Sequence, residues 1–176
     1  VRPSVPWLVN TSTVSLPSTS LAATRTGAIL VIEQRVGLRE FIETGVRLDA
    51  KVTSEIIKTV FYPGTPLHDM AMVIRGDRIV AARIQLPLAE SGSAGAGNLG
   101  SRHRAAIGLT SSTDATVIVV SEETGIVSIA ADGRLTRNVS ESQLRRHLKT
   151  ALVETTPMIG RFRSGGRQEE EDDDDE

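Results

Sequence analysis

Short apolar runs bounded by Gly, Pro and Asp do most to limit the folds open to this chain. Ala28-Ile29-Leu30-Val31-Ile32 and Thr116-Val117-Ile118-Val119-Val120 are each about one strand long, rich in β-branched residues and without polar alternation. Runs of that kind read as strands buried on both faces, which need packing partners above and below the sheet. Met70 to Ile74 and Ile79 to Leu86 flank Gly76-Asp77, a hairpin signal. In the second of these, Val80, Ala82, Ile84 and Leu86 are expected on one face and Arg83 and Gln85 on the other. Thr116 to Val120 turns through Ser121-Glu122-Glu123-Thr124-Gly125 into a further strand from Ile126 to Ala130.

Helices are available to cover such a sheet. Val52, Ile56, Ile57 and Val60 recur at helical spacing, with Asp49 the expected N-cap. Ala105, Ala106 and Ile107 continue a second helix that Ser101 is placed to cap. Ser140-x-x-Gln143 is a capping box opening a third, through about Leu152. Intermixed helices, strands and hairpins predict an α/β fold, one domain with a mixed β-sheet flanked by helices.

Residues 1–20, rich in Ser, Thr and Pro, read as a linker or lead-in with a short helix near Leu21, and Trp7 as a residue pinning it to the body. Residues 154–176 read as a disordered acidic tail. The formal charge of -2 is an average over unlike parts, because Glu169 to Glu176 is unbroken acid. Without that run the 20 basic residues outnumber the acidic ones, so the body suits an anionic ligand. Aromatic residues make up only 3%, which argues against a single-strand nucleic-acid binder that works by stacking. The chain has no cysteine, which excludes disulfides and thiolate chemistry. No apolar run approaches the roughly 20 residues of a membrane helix. The expectation is a cytoplasmic domain, membrane-tethered if a segment precedes Val1.

Two stretches carry chemistry. Gly100-Ser101-Arg102-His103-Arg104 puts two guanidiniums and an imidazole at the start of a helix, where backbone N–H groups already favour an anion. Pro66-Leu67-His68-Asp69 puts an imidazole and a carboxylate where a turn enters a strand, a mount for a metal or a general base. Carboxylates from this turn and from Glu122-Glu123 are candidates to share a metal. Gly95-Ala96-Gly97-Asn98-Leu99-Gly100 fits G-x-G-x-x-G literally, but it does not leave a strand directly, so a dinucleotide fingerprint is rejected.

From Leu21 to Leu152 the chain resembles the diadenylate cyclase (DAC) domain family. The resemblance rests on Arg25-Thr26-Gly27-Ala28, Thr65-Pro66-Leu67-His68-Asp69, Leu86-Pro87-Leu88, Leu99 to Gly108 and Val119-Val120-Ser121-Glu122-Glu123-Thr124-Gly125. It implies a domain over residues 21–153 that condenses two ATP into cyclic di-AMP, with a divalent metal (Mg²⁺ or Mn²⁺), between two facing copies. Asp69 matches the aspartate assigned to activating the ribose 3′-hydroxyl, and Arg102, His103 and Arg104 match the motif that organises the triphosphate. Met70, Ala71, Leu86, Ser101, Ser121 and Glu122 fall at nucleotide-contacting positions, Leu86 in the adenine pocket. His68, Asp69 and Glu123 match metal-ligating groups. Met70 replaces the glycine of the family's Asp-Gly-Ala motif, and Gln85 stands where many members carry an aromatic. The alternative that Met70 motivates is a catalytically silent nucleotide-binding regulator on the same fold.

Overall fold

The structure, a computed structural model, describes residues 11–90 and 99–153. Trp7, the glycine-rich loop before Leu99 and the acidic tail lie outside the described residues. Seven strands form one sheet: β1 (Ala28–Ile32), β2 (Val46–Lys51), β3 (Ala71–Arg75), β4 (Arg78–Ile84), β5 (Thr116–Val120), β6 (Val127–Ala131) and β7 (Arg134–Thr136), in the order β2-β4-β3-β1-β5-β6-β7. Only β1 and β3 run parallel; every other neighbouring pair is antiparallel, so the sheet is mixed as expected.

Helices cover both faces. Helices α1 (Thr11–Ala23), α3 (Ser54–Val60) and α5 (Glu141–Val153) lie on one side, where Val14, Leu21, Ile57, Leu144 and Leu148 meet Leu30, Ile32, Met72 and Ile118. Helices α2 (Arg39–Ile42) and α4 (Ser101–Ser112) lie on the other, where Leu38, Ile42, Ala106 and Leu109 meet Val31, Val73, Val117 and Val119. Residues of β1 and β5 alternate between these two cores. This is why their runs are apolar throughout: every residue of both strands is buried.

Four expectations are corrected. Asp49 caps no helix: it lies within β2 at φ 47°, its carboxylate paired with Arg78 at 2.9 Å, and Thr53 caps α3 by accepting from the Ile56 N–H at 3.2 Å. Ser101 is the first residue of α4, whose N-cap is Gly100, without a side-chain cap. Strict alternation fails in β4, where two register shifts against β3 and a positive φ at Arg83 send Ala82 to the α1 side and Ile84 and Leu86 to the α4 side. The lead-in is also helical from Thr11, not just near Leu21, with Val14 fully buried. The capping box, by contrast, forms as expected: the Ser140 N–H donates to Gln143 at 2.9 Å and the Gln143 N–H to Ser140 at 3.3 Å.

Candidate functional site

Strand register gathers the chemical residues at one end of the sheet. Ala28 at the start of β1 pairs with Val120 at the end of β5, and Ala71 at the start of β3 pairs with Ile84 at the end of β4. Gly27, Asp69, Met70, Gln85 and Ser121 therefore emerge together. The chain after β7 reaches the same end, since the Val139 N–H donates to Val127 at the start of β6. Onto this end α4 directs its N-terminus.

Two cavities open there. The first, about 540 Å³, has an apolar wall of Ile29, Ile84, Leu86, Leu88 and Ala105, with Gln85, His68, Asp69 and Met70 beside it. The second, about 420 Å³, is polar: Leu99, Gly100, His103, Ser121, Glu123, Thr124 and Arg137 line it. Ser101, Arg102 and Glu122 border both, so the two are halves of one cleft. Each half falls in the size range of a small-molecule site.

Arg102 stands at the junction. One of its guanidinium nitrogens lies 2.9 Å from Glu122 Oε2, and its head lies over Gly27, where an added Cβ would come within 2.8 Å of it. Glycine at 27 leaves room for the guanidinium to lie there; a larger residue would displace it. The first N–H groups of α4 have no side-chain cap, which leaves them to meet an anion in the cleft. His103 is buried beneath the polar half, its Nε2 3.5 Å from Ser128 Oγ. Burial, then the charges of Arg137 and Arg102, hold its pKa below the usual histidine value against the opposing pull of Glu123. A neutral imidazole at pH 7 follows.

Asp69 is two-thirds exposed at the rim. Beside it, His68 Nδ1 donates to the Thr65 carbonyl at 2.5 Å, which orients the ring so that Nε2 lies 3.6 Å from Asp69 Oδ1. Among the described residues, no three His, Asp or Glu side chains come together as a metal cage. The set His68, Asp69 and Glu123 is therefore not assembled: the first two border the apolar half and Glu123 the polar half. What is present is one exposed carboxylate with an oriented imidazole beside it, a donor pair that would serve a divalent ion only if phosphate and water supplied most of its ligands.

Leu86, Met70, Ser101, Ser121 and Glu122 all line the cleft. Two expected residues do not. Arg104 turns away, donating from Nε to the Ala89 carbonyl at 3.1 Å, and Ala71 is buried in the core under α4. Arg137 lines the cleft unanticipated; it follows a three-residue strand too short to read from the sequence.

A cleft with an apolar wall, a polar end that sets Arg102 and Arg137 beside Glu122 and Glu123, and a carboxylate at its rim gives this α/β domain a site of small-molecule size. The chain belongs to the DAC family, described as DisA bacterial checkpoint controller nucleotide-binding, whose model matches residues 17–135. It is 45% identical over 136 residues to the cyclic di-AMP synthase CdaA of Bacillus subtilis (strain 168), covering 77% of this chain and 50% of that one. It is 43% identical over 136 residues, with the same coverage, to a diadenylate cyclase of Listeria monocytogenes serotype 1/2a (strain 10403S). The chain thus spans about half the length of these curated relatives. Among solved structures it matches a double mutant of DacA from Staphylococcus aureus with a TM-score of 0.77 and 40% identity, over 81% of this chain and 94% of that one. A structure described as a hypothetical membrane spanning protein from Bacillus cereus matches at TM-score 0.72 and 40% identity, over 77% of this chain and 66% of that one. Among the described residues of this chain, no helix is long and apolar enough to cross a membrane.

Proposed function

We propose that this chain is the catalytic unit of a diadenylate cyclase, a nucleotidyltransferase that condenses two ATP into cyclic di-AMP and releases two pyrophosphates. The observation that carries it is the two-part cleft, whose apolar and polar halves meet at Arg102 with Asp69 on the rim. The names of its relatives, a cyclic di-AMP synthase and a diadenylate cyclase, support the same reading. The unit is taken to run from α1 through α5, because α5 supplies Leu144 and Leu148 to the core beyond the matched family region.

An adenine would lie on the wall of Ile29, Leu86 and Leu88, its triphosphate running past Ser101 and Arg102. Asp69 takes the proton of a ribose 3′-hydroxyl as that oxygen attacks the α-phosphate of the facing nucleotide. The new bond is 3′-O to phosphorus; the bond that breaks joins the α-phosphorus to the bridging oxygen, and pyrophosphate leaves. Arg102 and the N–H groups opening α4 stabilise the charge that develops. Asp69 and His68 Nε2 would hold a divalent cation together with phosphate oxygens. When bound, that ion supplies neutralising charge and lowers the pKa of the attacking hydroxyl. The reaction is symmetric and one cleft holds one nucleotide, so two copies must face each other.

Incubation with ATP and Mg²⁺ or Mn²⁺, read by mass spectrometry, should yield cyclic di-AMP. Asp69→Asn should lower turnover by roughly 10²–10⁴-fold, the usual worth of a general base, with an unchanged melting temperature. An Asn variant as fast as the parent would remove Asp69 from this role.

A further inference from the structure

We propose that Arg137 is the specificity residue that reads the terminal phosphates of the nucleotide, binding the β- and γ-phosphoryl oxygens in the polar half of the cleft. This deepens the cyclase reading and rests on it. Ser101 and Arg102 border both halves, whereas Arg137 borders only the polar one. A nucleotide whose base lies on the apolar wall and whose α-phosphate sits at the junction reaches Arg137 only through phosphates beyond the α.

The charge arrangement supports the same assignment. Arg102 is already engaged by Glu122 at 2.9 Å, while among the described residues no ion pair or hydrogen bond holds the Arg137 guanidinium. It is the unspent cation of that wall, with five N–H donors and the geometry to take two phosphate oxygens at once. Its neighbour His103 is neutral and adds hydrogen bonding rather than charge. Glu122 and Glu123 also line this half, and of its two arginines only Arg137 is left without a carboxylate partner among the described residues. Cyclic di-AMP has no phosphate beyond the α, so the product should not depend on Arg137. Pyrophosphate, the leaving group, should.

Calorimetric titration of the intact chain with inorganic tripolyphosphate and, separately, with cyclic di-AMP tests this in the parent, Arg137→Gln and Arg137→Lys. Arg137→Gln should weaken tripolyphosphate binding about tenfold or more and change cyclic di-AMP binding less than about twofold, and Arg137→Lys should recover part of the loss. In steady-state assays the loss should fall on KM for ATP more than on kcat. Tripolyphosphate binding unchanged in Arg137→Gln, or absent in the parent, overturns the proposal. So does an equal loss for both ligands, which would mark a structural role. A parent that makes no cyclic di-AMP yet binds tripolyphosphate through Arg137 would sink the cyclase reading and leave this assignment standing.

Discussion

Met70 sits at φ 69°, in the left-handed region that an L side chain occupies at a cost of roughly 1–2 kcal/mol, and its side chain is 45% exposed. A glycine at this position would hold the same backbone conformation without that cost, whereas this chain holds it with a side chain that strains it. Met70→Gly should relieve the strain, offset by about 0.5–1 kcal/mol of glycine's extra unfolded-state entropy. The expected net gain is about 0–1.5 kcal/mol, seen as a melting temperature unchanged or higher by up to about 6 °C. A lower melting temperature would show that contacts made by the methionine outweigh the strain. The other site residues divide by how locally their chemistry is encoded. Asp69, Arg102 and His103 could be read from the sequence because each stands in a short motif at the edge of a run. Arg104 shares the Arg-His-Arg triplet but does not line the cleft, because its guanidinium is held by the Ala89 carbonyl of the segment after β4, a partner that the triplet itself does not reveal. Arg137 has no motif around it and is a site residue only through the pairing of β7 with β6.

Helix α4 holds the site together as an element. Its residue Gly108 lies so close to the segment after β4 that an added Cβ would come within 2.2 Å of the Pro87 carbonyl oxygen and 2.9 Å of the Ala89 nitrogen, both backbone atoms that cannot swing aside. Two further bonds tie the same pair: the Ala89 N–H donates to the Arg104 carbonyl at 3.0 Å, and Arg104 Nε donates back to the Ala89 carbonyl at 3.1 Å. This clamp sets Leu86 and Leu88 opposite Ala105 across the apolar half of the cleft. Gly108→Ala should therefore cost about 1–3 kcal/mol in denaturant unfolding by overpacking and should weaken ATP binding at the same time. A variant as stable as the parent would show that the segment can retreat freely. The elements the sequence hid are those whose stability is tertiary. Helix α1 is poor in helix formers and contains Pro17, yet it forms because Val14 and Leu21 are buried and Arg145 of α5 donates to Ser12 at 2.7 Å. Strand β2 is different: Val46-Arg47-Leu48-Asp49-Ala50-Lys51 alternates apolar and polar residues, so its signal is present and is lost only when Asp49 is read as a helix cap, on an exposed edge whose register shifts between Arg47 and Ala50. The buried strands β1 and β5 were readable because burial on both faces is written in every residue.

At the scale of the whole molecule, the cleft lies where β1 and β3 begin, not at their carboxyl ends where open parallel sheets usually bind ligands. Antiparallel pairing accounts for the reversal, since it brings the ends of β4 and β5, and the turns they lead into, beside the starts of β1 and β3. Asp69, the proposed general base, thus lies on an exposed rim of the cleft. Met70 and Leu88, 45% and 54% exposed, line the same apolar half of the cleft. These are apolar groups left at the mouth of a half-site, consistent with a second copy closing it. If two copies must meet for each turnover, the initial rate at saturating ATP should rise with the square of protein concentration while monomer predominates, then become linear once the pair is formed. Measured over a dilution series alongside light scattering, the break in slope should fall where the mass doubles. A rate strictly proportional to protein throughout a range in which the mass stays that of one chain would show that one copy suffices, and the facing arrangement would have to be abandoned.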